Sequence, residues 1–368
     1  MRKLASVQRI ASLTPIKDAD KIEKATILGW DVVVAKKDGF KIGDLCVYCE
    51  IDSILPDKPE FGFLRERKFR IKTIKLKGQV SQGICFPLDI LPKSSTIKEG
   101  DDVTDILGIK KYDPQAEFER KEADRLLSID KNRMDKFLKR YAWYRKLIFK
   151  PTKKPFPSFI KKTDEDRIQL FPNYYENWKD IEFEVTEKID GQSATYFVVP
   201  NPKKGIFRPK WLFGVCSRNF QLLKEDNSSY WSIAKKHDLK RKMIEWCEKY
   251  NTGLIIQGEI ISDKIQGGKY KRGDYEFFVF NVISYKDGKA DHANNRAIAI
   301  MCGIMGLCAV PFLFVTFPFP SMKEMVDHAN GDSVIANGVM REGLVWRNQS
   351  YHISFKVVSP EFLLKYGE

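Results

Sequence analysis

The first 110 or so residues consist of short β-branched or aromatic runs separated by turn signals, and this pattern constrains the fold more than any other feature. Examples of the runs are Trp30–Ala35 and Leu45–Ile51, and turn signals lie at residues 37–39 and 42–44. Runs of this length bounded by Gly, Asp and Pro are typical of β-strands. So many strands in so short a stretch predict a small barrel or sandwich.

Two further strands are predicted at Phe69–Leu76 and Gly83–Leu88, and the first lies in a segment that alternates cations with apolar residues (residues 65–77). On a strand, this alternation would place several basic groups on one face, where they could follow a phosphate backbone. The same pattern also describes an edge strand that its charges protect from pairing. The sequence leaves both interpretations open.

The charge balance favours an anionic partner. The 368 residues include 63 Lys and Arg against 49 Asp and Glu, a net charge of +14. Nucleic acid is the first candidate for such a partner, with an inert basic surface as the alternative.

The cysteines indicate a reducing, intracellular compartment. They are odd in number, scattered and set in apolar contexts, at positions Cys46, Cys49, Cys85, Cys216, Cys247, Cys302 and Cys308. The spacing of Cys46 and Cys49 is also found in zinc and redox sites. No second Cys-x-x-Cys accompanies this pair, so two buried strand cysteines are the preferred interpretation.

The chain divides into three predicted regions: a β-rich domain (1–113), a basic linker with some helix (114–168) and a mixed domain (169–368). The third region contains a predicted amphipathic helix at Ser232–Tyr250 and predicted strands at Leu254–Ile260 and Tyr275–Ser284. Its uncharged stretch Ala297–Pro320 is long enough to cross a bilayer. Because prolines interrupt this stretch, it is better divided into a buried helix (about residues 294–307) and a buried strand (residues 309–317), so no membrane association is expected.

The tetrad Lys188-Ile189-Asp190-Gly191 directly follows the alternating run 183–187. This arrangement suits a nucleotidyltransferase, because an amine can attack phosphorus, an acid can hold a metal or ribose, and a glycine lets the chain turn away. The tetrad is a weak signal alone, but chemically suitable residues follow it in order, each beside a strand-like run. They are Arg218, Glu259, Phe280, Glu342 and Lys356.

Together these elements resemble the ordered motifs of the covalent nucleotidyltransferases, which are polynucleotide ligases and mRNA capping enzymes. The resemblance covers residues 180–368, and the loop 265–270 and the closing residues 362–366 look specifically like RNA ligases. A β-rich module before the nucleotidyltransferase domain is similar to the Naegleria/Deinococcus type of RNA ligase. The resemblance therefore implies an α+β fold, with ATP-grasp-like antiparallel sheets and helices preceded by an OB-like β-barrel.

The resemblance also implies a role for each site residue. Lys188 would be the nucleophile, Lys356 would neutralise the α-phosphate, and Arg218 would contact ribose or phosphate. The adenine would stack on Phe280, with Glu187 at its edge, and Glu259 would contact the ribose. Asp190, Glu259 and Glu342 would hold Mg²⁺ or Mn²⁺, which suits converging carboxylates. The pKa of Lys188 must fall for attack, through a metal or through Lys356. One departure is Val358, where many RNA ligases have a second basic residue.

The expected function is therefore an intracellular ATP-dependent RNA ligase that acts in RNA repair. It would join RNA 3′-hydroxyl and 5′-phosphate ends through lysyl-AMP and RNA-adenylate intermediates. A nicked duplex is the expected substrate, with tRNA halves and bridged breaks left open, and the sequence does not indicate the oligomeric state. The alternatives are a DNA ligase, a GTP-dependent capping-type enzyme and a non-catalytic RNA-binding protein.

Overall fold

The computed structural model describes residues 3–51, 53–92, 97–112, 137–138, 140–141, 152–162, 165–202 and 208–366. The N-terminal part is built from small antiparallel sheets, ordered β1-β5-β9, β2-β3-β4, β7-β8 and β10-β6. Their strands are β1 Ala5–Arg9, β2 Ser12–Pro15, β3 Ile22–Ile27, β4 Trp30–Ala35, β5 Leu45–Cys49, β6 Ser53–Ile54, β7 Ile74–Leu76, β8 Gln79–Ser81, β9 Ile84–Phe86 and β10 Lys110–Lys111. One short helix, α1 Thr104–Leu107, and 3₁₀ turns at Lys36–Asp38, Pro59–Arg67 and Leu88–Ile90 complete this part.

Strand β5 is buried on both of its faces, which explains its continuous apolar sequence. Cys46 and Tyr48 pack into one hydrophobic core, whereas Val47 and Cys49 pack into another. The two cysteines of the Cys-x-x-Cys pair are therefore buried strand residues, as predicted, and their side chains belong to different cores.

The predicted strand Phe69–Leu76 is largely wrong. The chain before it forms the 3₁₀ helix Pro59–Arg67, and both Lys68 and Phe69 have positive φ angles, of 53° and 59°. Only residues 74–76 form a strand. The basic side chains of residues 65–73 therefore do not line one face of a strand, because these residues form no continuous strand.

The C-terminal part consists of two antiparallel sheets. The larger has the order β11-β15-β14-β13-β16-β17-β18, with β19 added parallel to β17, and the smaller has the order β20-β12-β21-β22. Their strands are β11 Lys153–Pro155, β12 Phe183–Lys188, β13 Gln192–Pro200, β14 Trp211–Ser217, β15 Phe220–Leu222, β16 Gly253–Ile261, β17 Glu276–Lys286, β18 Lys289–His292, β19 Cys308–Ala309, β20 Phe312–Thr316, β21 Gly343–Asn348 and β22 Ile353–Val358. The predicted strands at 254–260 and 275–284 are thus confirmed.

Helices cover the two sheets. They are α2 Tyr174–Trp178, α3 Ser229–Lys236, α4 Leu239–Tyr250, α5 Asn295–Met305, α6 Met322–Ala329 and α7 Pro360–Tyr366, with 3₁₀ turns at Ile168–Leu170 and Gln266–Gly268. Helices α3, α4 and α5 pack on the larger sheet through residues such as Ile233, Met243 and Ile298, and α6 packs on the smaller sheet through Met325.

Two helix and strand predictions need correction. The single helix predicted at 232–250 is two helices, because Asp238 between them has a φ of 50°, which an α-helix cannot contain. The uncharged stretch does form a helix, α5, but the strand region after it is divided into β19 and β20. Phe312 and Val315 of β20 are about half exposed, at 51% and 50%, so the strand is not buried as predicted.

The N-terminal part packs directly against the end of the C-terminal part. Val80 of β8 shares a small core with Val358, Phe362 and Leu363. The side chain of Lys75 also donates a hydrogen bond to the carbonyl of Leu364. These contacts place the β7–β8 hairpin beside β22 and α7, next to the cavity described below.

Most of the predicted basic linker, namely residues 114–136, 139, 142–151 and 163–164, lies outside the described residues. A part that is described, β11, pairs with β15 and so adds a strand to the larger sheet. In the described part of the chain, none of the helices combines the length and apolarity needed to span a membrane.

Candidate active site

A cavity of about 440 Å³ lies between the two C-terminal sheets and is closed on one side by the N-terminal part. It brings together seven of the eight predicted site residues from six separate elements. The seven that line it are Glu187, Lys188, Arg218, Glu259, Phe280, Glu342 and Lys356. The eighth, Asp190, is not among the lining residues, although its charge acts on both Lys188 and Glu259.

Lys188 is the last residue of β12, and the turn after it is tightly packed. Gly191 approaches β16 so closely that a Cβ atom there would lie 2.6 Å from the carbonyl oxygen of Ile260. Any larger residue would push the turn away from the sheet. This close approach therefore requires the glycine of the tetrad, which allows the chain to turn directly after Lys188.

Glu342 reaches Lys188 because β12 and β21 pair in a register that sets Lys188 opposite Gly343. The Lys188 ammonium donates to Glu342 Oε2 at 2.5 Å. Burial lowers the pKa of Lys188, but the negative charges of Glu342, Glu259 and Asp190 raise it, and the net direction is upward. The acids thus favour the protonated amine in the ligand-free protein, and positive charge added near them would lower the pKa of Lys188.

Glu259 is the acid best placed to receive a ligand. Its Oε2 atom is buried and has no hydrogen-bond partner. Burial raises the pKa of this carboxyl to about 8, Lys188 opposes that rise, and Glu342 and Asp190 add to it. A buried carboxylate oxygen without a partner is costly, so a hydroxyl donor or a hydrated cation would satisfy it.

The three predicted metal-binding acids do not form a direct metal cage. Among the described residues, no group of three or more His, Cys, Asp or Glu side chains is arranged to hold a metal ion. Glu342 is bonded to Lys188, and Asp190 forms an ion pair with Lys269. The unpartnered Glu259 oxygen nonetheless suits a hydrated divalent cation, because Mg²⁺ commonly keeps several of its waters.

Phe280 and Glu187 both line the cavity, from different strands. The Phe280 ring borders the cavity, and the guanidinium of Arg347 lies 5.6 Å from its centroid. The Glu187 carboxylate accepts hydrogen bonds from the Ser333 hydroxyl at 2.5 Å and from the Val334 N–H at 2.8 Å. Glu187 thus anchors the loop before β21, and its contact with an adenine edge stays a prediction.

Lys356 enters the cavity from β22, where it pairs with Val345 of β21. Its own N–H donates to the Asp166 carbonyl at 2.8 Å, which brings Arg167 alongside. Val358, two residues further on, is only 4% exposed and also borders the cavity. A second cation is therefore missing at position 358, and an apolar contact with the N-terminal part replaces it.

Sequence reasoning placed none of the other basic residues of the cavity at the site, although two of them lie in the basic segment 65–77, for which contact with a phosphate backbone is one of the two interpretations. These other basic residues are Arg70 and Lys72 of the N-terminal part, with Arg167 and Arg347 of the C-terminal part. Arg167 lies over the ring of Trp30, 5.1 Å from its centroid, so the two parts of the chain meet at this wall. No local motif marks these positions, because their proximity depends on how the two parts pack together.

The chain is similar to known proteins over almost its whole length. Residues 181–366 match the family model described as RNA ligase, and residues 4–88 match a model described as an OB-fold domain. No curated protein is significantly similar to the chain. A structure of Naegleria gruberi RNA ligase with PPi is 31% identical, with a TM-score of 0.69, covering 100% of this chain and 99% of that one. A mutant of that ligase with AMP and Mn is 31% identical, with a TM-score of 0.70 and 99% of each chain covered. Another mutant, with ATP and Mn, is 30% identical, with a TM-score of 0.69 and 99% of each chain covered.

Proposed function

Because the chain belongs to the RNA ligase family, we propose that it joins RNA 3′-hydroxyl and 5′-phosphate ends at the expense of ATP. The observation that carries this proposal is the cavity in which Lys188 meets Glu342, Arg218 and Lys356 beside the ring of Phe280. The site combines a nucleophilic amine, cations for phosphate groups and an aromatic face for a base. These are the groups that transfer of a nucleotide to a lysine requires.

In the first step, the neutral amine of Lys188 attacks the α-phosphorus of ATP. A phosphorus–nitrogen bond forms, the bond to the pyrophosphate oxygen breaks, and the amine loses a proton. Glu342 accepts the hydrogen bond from this amine at 2.5 Å and is therefore placed to take up the proton. Lys356 and Arg218 neutralise the charge that develops on the phosphate oxygens.

Glu259, Glu342 and Asp190 are the residues that would hold a divalent cation, with Glu259 Oε2 as the atom that lacks a partner. Bound Mg²⁺ or Mn²⁺ would neutralise phosphate charge and counteract the acids that raise the pKa of Lys188. Water-mediated binding fits best, since no three acids among the described residues converge directly.

In the second step, an oxygen of the RNA 5′-phosphate attacks the phosphorus of the lysyl-AMP. A phosphorus–oxygen bond forms, the phosphorus–nitrogen bond breaks, and the Lys188 amine leaves and takes up a proton. In the third step, the RNA 3′-hydroxyl loses its proton and attacks the activated 5′-phosphate. The new phosphodiester bond forms, and AMP leaves with the electrons of the phosphorus–oxygen bond that joined it to the RNA. The same cations serve all three steps, because each passes through a charged phosphorus centre in the same cavity.

A nicked duplex is the proposed form of the RNA. The chain carries a net charge of +14, and Arg70 and Lys72 bring cations of the N-terminal part to the wall of the cavity. A duplex offers phosphates on both strands to such a surface. The seven free cysteines support action in a reducing, intracellular compartment.

Incubation with labelled ATP or GTP tests the first step. We expect a covalent AMP adduct with the unmodified protein and none with Lys188→Ala. The matched control is Lys179→Ala, which removes an exposed lysine paired with Glu176. A GMP adduct without an AMP adduct would indicate a capping-type enzyme, and an adduct in Lys188→Ala would refute the nucleophile. Absence of any adduct in the unmodified protein would favour a non-catalytic RNA-binding protein.

Sealing assays test the substrate. We expect an RNA nick to be sealed faster than the same ends without a complementary strand. Nicks with DNA on one or both sides show whether the 3′-hydroxyl and 5′-phosphate strands must be RNA. Preferential sealing of all-DNA nicks would contradict the proposal, as would equal rates with and without the complementary strand.

A further inference from the structure

Lys269 contacts the catalytic turn from a loop that the mechanism above does not use. Its ammonium forms an ion pair with the Asp190 carboxylate, two residues beyond the nucleophile. The exposed fractions of the two side chains are only 9% and 16%. From this contact we propose that Lys269 is a positioning residue, which acts through Asp190 to hold the Lys188–Gly191 turn in its reactive geometry. The inference rests on the proposed function of that turn.

The loop that carries Lys269 holds Asp190 at two points. Tyr270, the next residue, accepts a hydrogen bond from the Asp190 N–H through its hydroxyl oxygen at 2.9 Å. Lys269 and Tyr270 therefore fix the side chain and the main chain of the same residue. Because both its main chain and its side chain are bound, Asp190 restricts the motion of the Lys188–Gly191 turn. A nucleophile reacts faster when it is held in the correct geometry near its target.

The backbone of this loop is shaped to bring Lys269 back towards the turn. Gly267 and Gly268 both have positive φ angles, of 74° and 65°. A Cβ atom on Gly268 would lie 2.6 Å from the carbonyl oxygen of Asp263. Both positions thus favour glycine, and the tight turn that they form presents Lys269 to Asp190.

Two aromatic rings of α7 support the buried ammonium. Lys269 Nζ lies 4.6 Å from the centroid of Phe362 and 5.3 Å from that of Tyr366. A desolvated ammonium is costly unless it is compensated, and a carboxylate together with two ring faces provides that compensation. The centroids of the two rings are 4.9 Å apart, so α7 provides a binding site for the Lys269 ammonium.

Removal of the Lys269 charge should therefore loosen the Lys188–Gly191 turn without removing a contact to ATP. In Lys269→Met, we expect single-turnover formation of lysyl-AMP to slow by about 10–100-fold, with the ATP KM changed by less than about threefold. Lys269→Arg should restore the rate to within about threefold, because its guanidinium can also pair with Asp190. Lys264→Met, which removes an exposed lysine of the same loop, should behave as the unmodified protein. Thermal melting identifies variants that fail to fold.

A double-mutant comparison shows whether Lys269 acts through Asp190. It measures Asp190→Asn alone and in combination with Lys269→Met. If it does, the second substitution causes no further loss in the Asp190→Asn background. Losses that multiply in the double variant would overturn the proposal. It would equally be overturned if Lys269→Met were as fast as the unmodified protein, or if Lys269→Arg were as slow as Lys269→Met.

Labelling of Lys188 with an amine-reactive reagent, followed by mass spectrometry, gives a readout that does not depend on ligation. A relaxed turn should expose the amine, so we expect faster labelling in Lys269→Met and ordinary labelling in Lys269→Arg. Equal labelling in all three proteins would overturn the positioning role. If the unmodified protein formed no nucleotide adduct, the proposed function would fail, yet this labelling result would still decide the role of Lys269.

Discussion

Lys188 and Glu342 are 154 residues apart in the chain, yet their side chains form a hydrogen-bonded ion pair of 2.5 Å at the centre of the cavity. The pairing of β12 with β21 brings them together, and the negative charge of Glu342 helps to raise the pKa of Lys188, which favours the protonated amine in the ligand-free protein. Glu342 thus both positions the Lys188 amine and favours its protonated form, so a bound ligand must weaken this ion pair before the amine can react. The pKa of Lys188 therefore depends directly on the acids that surround it.

Glu342→Gln should lower the pKa of Lys188. The substitution removes the partner that contributes most to raising that pKa, while burial continues to lower it. We expect the pH midpoint of Lys188 labelling by an amine-reactive reagent to fall. Glu176→Gln, which removes the acid of an exposed pair with Lys179, is the control and should leave the Lys188 midpoint unchanged. An identical midpoint in Glu342→Gln would contradict this role of the acid.

Glu259→Gln should stabilise the ligand-free protein at alkaline pH. Burial raises the pKa of Glu259 to about 8 from an ordinary value of 4.5. The protonated form is thus favoured in the folded state, so this group's contribution is fully present below pH 4.5 and is lost as the pH rises through 8. Above pH 8, the glutamine variant should have a free energy of unfolding higher by about 1–3 kcal/mol.

Thermal or denaturant melting from pH 4 to 9 checks this expectation, since the two proteins should converge towards acid pH. Ser193 faces Glu259 across the β13–β16 pair, and Ser193→Ala serves as a neighbouring substitution without a titrating group. A constant difference between Glu259→Gln and the unmodified protein at every pH would show that burial of the charge is not the cause.

Phe280→Ala should weaken ATP binding, because the ring borders the cavity beside Lys188 and Arg347. Stacking of one base on an aromatic side chain contributes about 1–3 kcal/mol, so the ATP KM should rise by roughly 10-fold or more. Phe280→Trp retains an aromatic face and should stay close to the unmodified protein. Tyr351→Ala, at an aromatic residue that is 64% exposed, is the control. An unchanged KM in Phe280→Ala would place the base elsewhere.

Val80→Asp should separate the N-terminal part from the catalytic part at their shared core. Val80 is 4% exposed and packs against Val358 and Phe362, so a carboxylate there would be buried without a partner. We expect formation of lysyl-AMP to slow by about 10-fold or more, because α7 supports Lys269 and the catalytic turn. Lys77→Ala, an exposed change in the same hairpin, should have no effect. Full activity in Val80→Asp would show that docking of the N-terminal part is dispensable.

The predicted family, the fold class and the RNA ligase function are confirmed by the family model and by the Naegleria gruberi structures. They were predictable because the ordered residues from Lys188 to Lys356, each beside a strand-like run, resemble the motifs of a known family. The OB-fold character of the first domain is confirmed as well, over residues 4–88. The domain boundaries and the roles of individual site residues stay predictions.

The errors arose where backbone conformation departs from residue pattern. The apolar periodicity of residues 232–250 continues across Asp238, although the chain there adopts a φ of 50° and the helix ends. The alternating segment 65–77 looks like a strand, yet Lys68 and Phe69 turn the chain. Periodicity reports which side chains are apolar, and it does not report a single residue that takes a left-handed conformation.

Local sequence was sufficient for the strand-rich first domain and for the ordered set from Lys188 to Lys356, because side-chain alternation and short motifs depend only on neighbours in the chain. The tertiary structure alone decided the partners of those residues. It paired Lys188 with Glu342, joined Asp190 to Lys269, and set Arg70 and Lys72 beside the cavity. The physical reason is that charge and burial act through space, between elements that are far apart in the sequence. A local sequence pattern carries no information on the distance between such elements.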